Sequence, residues 1–213
     1  TATIADAQAC FNINALSKKP DSNNALGADR PSLEMDAFNA LIRELTNGDT
    51  YAADVFMDSI VDYLDEDTIA RTNGAEDNTY LGKSHPYLSA NTLLSEVSEL
   101  RLINGVNIDW FEALLEYVCV LPNNPNLLVN VNSLTTDDAI LLAALTGLST
   151  SDAQSLIESR PENGYENPAD FFGESEMTGL SLPKSQMAWF DTTTEYFTLT
   201  TITQYNNTQF ALT

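Results

Sequence analysis

Tyr196-Phe197-Thr198-Leu199-Thr200-Thr201-Ile202-Thr203 decides how this chain of 213 residues is organised. Its β-branched and aromatic residues read as a strand. Asn206-Asn207 is the hairpin turn that returns it as Phe210-Ala211-Leu212-Thr213. The other extended segment lies at the opposite end, at residues 5–16, where Cys10, Phe11, Ile13 and Leu16 alternate loosely with polar residues. The simplest packing puts both ends in one sheet and makes residues 30–180 an insertion.

That insertion has helical grammar. After the polar stretch Ser17–Asp29, the residues Met35, Phe38, Leu41, Ile42 and Leu45 recur at helical spacing behind Ser32 as N-cap, and Asn47-Gly48 ends the run. A second apolar face follows Thr50 through Val55, Phe56, Ile60, Val61 and Leu64. A third run spans 93–103 and a fourth 108–118, before the loop Pro122-Asn123-Asn124-Pro125-Asn126. Beyond it, Leu127, Leu128, Val129 and Val131 lead to Thr135 or Thr136 as a cap and to a helix through Leu145. The turn Gly147-Leu148-Ser149, a helix from Ser151 to Arg160 and another from Asn167 to Phe172 complete a helix-hairpin-helix (SAM-like) pattern over 127–173. The expected fold is therefore α+β: an α/β sheet domain from 1–29 and 181–213, with an α-helical domain inserted at 30–180.

The formal charge of −22, from 31 acids against nine Lys and Arg, is the strongest global constraint. Such a surface repels phosphate backbones and anionic lipid headgroups, which argues against nucleic-acid binding. Cys10 and Cys119, with one histidine, make no zinc set. They are either two buried thiols or one long-range disulfide; few lysines and many Asn, Thr and Asp favour an exported protein and the disulfide. No apolar run reaches membrane-spanning length.

The acids concentrate in Asp62-Tyr63-Leu64-Asp65-Glu66-Asp67 and Gly74-Ala75-Glu76-Asp77, which set six carboxylates around one cation, Arg71. Crowded carboxylates raise one another's pKa, and a hard divalent cation relieves the repulsion. Calcium takes six to eight oxygens at roughly 2.3–2.6 Å from flexible loops. Against this stands a simple acidic turn in water, and the residue types leave both readings open. The spacing is not an EF-hand, because Ile69 and Ala70 break the pattern after Asp67. A calcium site here would be irregular, built from Asp65/Asp67 and Glu76/Asp77 brought together across a turn.

Catalysis finds little support. His85 stands alone before Pro86 in a polar loop, with no nucleophile near it in sequence, and no G-x-S-x-G, Walker or dinucleotide fingerprint is present. A secreted hydrolase using paired carboxylates is one alternative, although pairs are uninformative among so many acids. A helix-hairpin-helix DNA-binding module is another, although its hairpin lies among Asp137, Asp138, Asp152 and Glu158 with Arg160 as the one nearby cation.

Four stretches taken in order carry a resemblance: Cys10-Phe11-Asn12-Ile13-Asn14-Ala15-Leu16; Tyr63 to Asp67 with Gly74 to Asp77 and Tyr80; Glu99 to Val106; and Val129-Asn130-Val131-Asn132-Ser133-Leu134. Together, over residues 6–205, the chain resembles the minor pseudopilin K family of bacterial type II secretion, also called general secretion pathway protein K. The resemblance implies a pilin-like α/β domain interrupted by a helical domain, and a non-enzymatic role in a tip complex with pseudopilins I and J. It also implies calcium at Asp65, Asp67, Glu76 and Asp77. The full-length protein would lie in the periplasm of a Gram-negative bacterium, anchored in the inner membrane by an N-terminal helix that this chain lacks.

Overall fold

The computed structural model describes residues 2–18, 31–206 and 208–212. Most of the polar stretch from Ser17 to Asp29 therefore lies outside the described residues. Strand β1 (Ala2–Asp6) opens the chain, and β2 (Phe11–Asn12) follows after a turn. The extended reading of 5–16 then gives way to a 3-10 helix at Ile13–Ser17. The Asn12 side chain accepts from Asn14 N at 3.3 Å, and Phe11, Ile13, Ala15 and Leu16 are all buried. A strand would have sent alternate residues to opposite faces; the coil lets consecutive ones enter the core.

Helix α1 (Leu33–Leu45) starts where Ser32 Oγ accepts from Met35 N, and α2 (Thr50–Leu64) where Asp49 accepts from Ala52 N. The short α3 (Asp77–Leu81) follows. The third expected run shrinks to a 3-10 helix at Val97–Leu102, started by reciprocal bonds between Glu96 and Glu99. The fourth stops early: α4 (Ile108–Leu114) ends, and β-favouring residues turn the chain into β3 (Val118–Cys119). There Phe11 lies parallel and opposite Val118. Aromatic rings Phe11, Phe38, Phe56 and Trp110, with centroids 5.0, 6.4 and 5.0 Å apart, run through β2, α1, α2 and α4 as one core.

Strand β4 (Val129–Asn130) leads into two further helices. Helix α5 (Ala139–Thr146) ends at Gly147, whose φ of 80° suits a residue without Cβ, and α6 (Thr150–Glu158) begins behind Ser149. Helices α7 (Pro168–Phe172) and α8 (Lys184–Met187) precede β5 (Phe190–Asp191), which pairs parallel with β4. Last come β6 (Phe197–Tyr205) and β7 (Thr208–Leu212), with Asn206 left-handed at φ 51° in the turn.

The two ends do meet: β1 and β6 pair antiparallel, Ile4 opposite Leu199, and β7 flanks β6. The register puts Ile4, Phe197, Leu199, Phe210 and Leu212 on one exposed face. Phe11–Ser17 and β5 pack with the helices, so the sheet draws on less of each end than the pattern suggested.

Three kinds of tie join the parts. Cys10 and Cys119 form a disulfide, which decides between the two readings of the cysteines. Asp6 accepts from Ser133, Thr194, Asn130 Nδ2 and Gln8 N, linking the sheet to the body. Burial alone would raise its pKa, but these bonds carry it below the ordinary value. Buried amides do the rest. Asn12 bonds Asn124 O, Asn126 O and Leu121 N, and Asn14 bonds Leu94 O, Leu121 O and Leu94 N at 2.8–3.1 Å. Replacing Asn14 with Ala strands those three backbone groups in the core. We expect a loss of about 3 kcal/mol in urea unfolding, with the slope unchanged.

Candidate metal centre

The acidic segment starts at the C-terminal end of α2, where Asp58 and Asp62, one turn apart, are both buried. Asp58 Oδ1 is 2.9 Å from Arg71 Nε, and its Oδ2 accepts from the Asn73 backbone N and Nδ2 at 3.2 and 3.3 Å. Asp62 accepts from Arg71 N at 3.0 Å. Burial pushes the Asp62 carboxyl up to about 7, and the charges of Glu76 and Asp65 add to burial, against the bond from Arg71 N and its charge.

Asp65 caps α2 through its N–H on Val61 O and then accepts from Asp67 N at 3.2 Å. Asp67 in turn accepts from Ile69 N at 2.9 Å. These two short turns fold the exposed end of the loop back toward Glu76, which precedes α3. One oxygen each of Asp65, Asp67 and Glu76 lie within 4.8 Å of one another. Glu76 is only 5% exposed; its Oε2 receives Ser89 Oγ at 3.3 Å, while its Oε1 is buried with no hydrogen-bond partner. Burial, and then the charge of Asp65, raise its pKa.

Asp77 stands outside this trio. Its Oδ1 accepts from Ser89 N and Oγ at 3.0 and 2.7 Å, so it holds Ser89 against Glu76. The other buried side-chain oxygen without a partner among the described residues is Asn91 Oδ1. Asn91 N donates to Tyr63 O at 3.0 Å, two residues before Asp65, and its φ is 46°.

Sequence reading named the trio but missed Asp58, Ser89 and Asn91. The first had a signal, since Asp58 and Asp62 sit four apart inside an apolar helical run. Ser89 and Asn91 had none, because a loop far along the chain brings them in. Elsewhere, His85 is exposed beside Ser84. Arg160, the cation near the hairpin, donates from Nη1 to Val131 O and Leu134 O at 3.0 and 2.7 Å, which ties that side of the guanidinium to the protein's own backbone.

Comparison with known proteins gives a consistent result. Two family profiles, both described as type II secretion system (T2SS) protein K, match residues 9–123 and 129–193. Type II secretion system protein K from Pectobacterium carotovorum is 35% identical over 188 residues, covering 87% of this chain and 55% of that protein. The Klebsiella pneumoniae protein of the same name is 38% identical over 175 residues, covering 81% and 52%. This chain thus spans about half the length of the curated relatives it matches. A chain in the crystal structure of the GspK-GspI-GspJ complex from the enterotoxigenic Escherichia coli type 2 secretion system superposes with a TM-score of 0.84. It is 27% identical, and the match covers 99% of this chain and 71% of that one.

The raised carboxyls at Asp62 and Glu76 fix a pH dependence. In the unfolded chain both ionise near pH 4, while in the folded protein Asp62 keeps its proton up to about pH 7. The folded state binds more protons, so stability falls as pH rises through that window. In chelator, the melting temperature should therefore drop between about pH 4 and about pH 7 and level off above, and Asp62→Asn should flatten the drop.

Proposed function

The chain belongs to the type II secretion system protein K family, and from that premise we propose that it is a minor pseudopilin at the tip of the pseudopilus. In this reading it assembles with pseudopilins I and J and serves protein export structurally, without catalysis. The observation that carries it is the match of nearly the whole chain to a chain of the GspK-GspI-GspJ complex at a TM-score of 0.84. The relatives' names, all of a secretion-system component, support a non-enzymatic role over the carboxylate-pair hydrolase. Arg160's internal bonds weigh against the DNA-binding module. The periplasmic setting and inner-membrane anchorage through a helix outside residues 1–213 belong to the same proposal and rest on the family.

A pilin-like sheet domain from both ends, 1–29 and 181–213, fits the β1–β6 pairing, with 30–180 as the helical insertion and 127–173 as its helix-hairpin-helix part. The assembly reading is tested by mixing this chain with the periplasmic regions of pseudopilins I and J. Co-elution of all three on size exclusion is expected, and separate elution at micromolar concentration would count decisively against it.

Calcium at Asp65, Asp67 and Glu76, with Asp77 adjoining, completes the proposal. Its support is Glu76 Oε1, an unpartnered buried oxygen in a group of three carboxylates. A buried anionic oxygen without a donor is costly, and a cation offsets that cost. The donors are hard oxygens on a loop, the set calcium prefers, and Asn91 Oδ1 is a neutral candidate of the kind calcium also accepts. When bound, the ion would neutralise the crowd of carboxylates; the protein's part is to bring two chain segments onto one point.

At calcium a hundredfold above its Kd, folding gains about 2.7 kcal/mol, so the melting temperature should rise by about 5–10 °C over the chelated protein. Glu76→Gln should abolish the rise, and magnesium should substitute poorly. A wild-type protein whose melting is indifferent to calcium and chelator would refute the site.

A further inference from the structure

The loop that closes the candidate calcium site has an anchor of its own. The chain leaves α2 at Asp65 and must return at Glu76, yet residues 66–70 are all exposed and 66–76 form no helix or strand. A loop of this kind, covered by solvent, does not hold two carboxylates within reach by itself. What ties it lies on the other side, on the face of α2 that carries Asp58 and Asp62. Asp58 grips Arg71 Nε and both nitrogens of Asn73, and Asp62 takes Arg71 N. Gly74 then passes so close that a Cβ there would stand 1.9 Å from Asp62 Oδ2 and 3.2 Å from Asp58 O. After this contact Ala75 enters the core and Glu76 follows, buried.

We infer that Arg71 is a positioning residue for calcium: clamped by Asp58 and Asp62, it seats the returning strand of the loop so that Glu76 arrives opposite Asp65 and Asp67. The inference rests on the calcium reading above and deepens it. Its interest lies in the sign of the effect. Arg71 is a cation beside a site for a cation, and by charge alone it weakens calcium binding. By geometry it strengthens it, because the ligands meet only if the loop is seated. Groups that orient metal ligands without touching the metal are commonly worth 10–100-fold in affinity. A part-exposed unit charge already paired with Asp58 is worth less, since solvent screens it. Geometry should therefore win.

The test is a calcium titration of the whole chain against a chromophoric chelator, with far-UV circular dichroism of each calcium-free variant alongside. Arg71→Ala should raise the calcium Kd at least tenfold, although it makes the site more negative. Arg71→Lys, whose Nζ can meet Asp58 from a similar stem, should recover part of the loss. Gly74→Ala, which changes no charge, should weaken calcium as well by displacing the loop from Asp62. All three should keep the calcium-free spectrum. Unchanged or tighter binding by Arg71→Ala overturns the inference while leaving the calcium site standing. Unfolding of both Arg71→Ala and Gly74→Ala in chelator also overturns it, because Arg71 would then be serving the core. A wild type that takes up no calcium removes the calcium reading and this inference together.

Discussion

Asn12, Asn14, Asn124, Asn130 and Asn132 lie where loops and two-residue strands meet, and their side-chain amides satisfy backbone groups that no regular element reaches. Asn132 accepts from Tyr165 N and donates to Tyr165 O and Thr192 O, and Asn130 reaches Ser133, Thr194 and Asp6. The body needs this because its elements are short. Strands β2 to β5 have two residues each, so most of the chain between helices has no ladder partner. A buried N–H or C=O without a partner is costly. A primary amide supplies two donors and an acceptor without charge, which is why it can serve several such groups in a core.

The same logic at higher charge governs the acidic corner. Asp58 and Asp62 on α2 act toward Arg71 and Asn73 much as the asparagines act elsewhere, by accepting hydrogen bonds from a loop that lacks its own structure. Asp65 and Asp67 accept from the loop's own backbone, and Glu76 Oε2 accepts from Ser89, but Glu76 Oε1 beside them is buried without a donor. Structural carboxylates on the helix and the three converging carboxylates of the loop are thus parts of one arrangement. The Asp6 cluster extends it by fixing the helical body to the terminal sheet, and the disulfide ties Cys10, between β1 and β2, to β3.

Much of this was legible from residue order. The period of Met35, Phe38, Leu41 and Ile42, the cap Ser32, the glycine turn that ends α5 and the β-branched run at 197–203 each declare their local structure, because propensity and capping act between near neighbours. The misses have one physical cause. Ile13–Ser17 coils, and the runs at 93–103 and 108–118 shorten, because burial against distant segments overrides a weak local preference.

By itself, then, the amino-acid sequence determined the class of fold, the helical middle between extended ends, and the crowding of acids at 62–77, all of which follow from local spacing and charge. Tertiary structure alone decided which acids meet. Asp65, Asp67 and Glu76 converge while Asp77 turns to Ser89, and Asp58 and Asp62 face inward to hold Arg71. Those choices depend on how a loop closes over a helix and on a serine supplied from residue 89. Distances across a closed loop are set by packing, and no spacing along the chain encodes them.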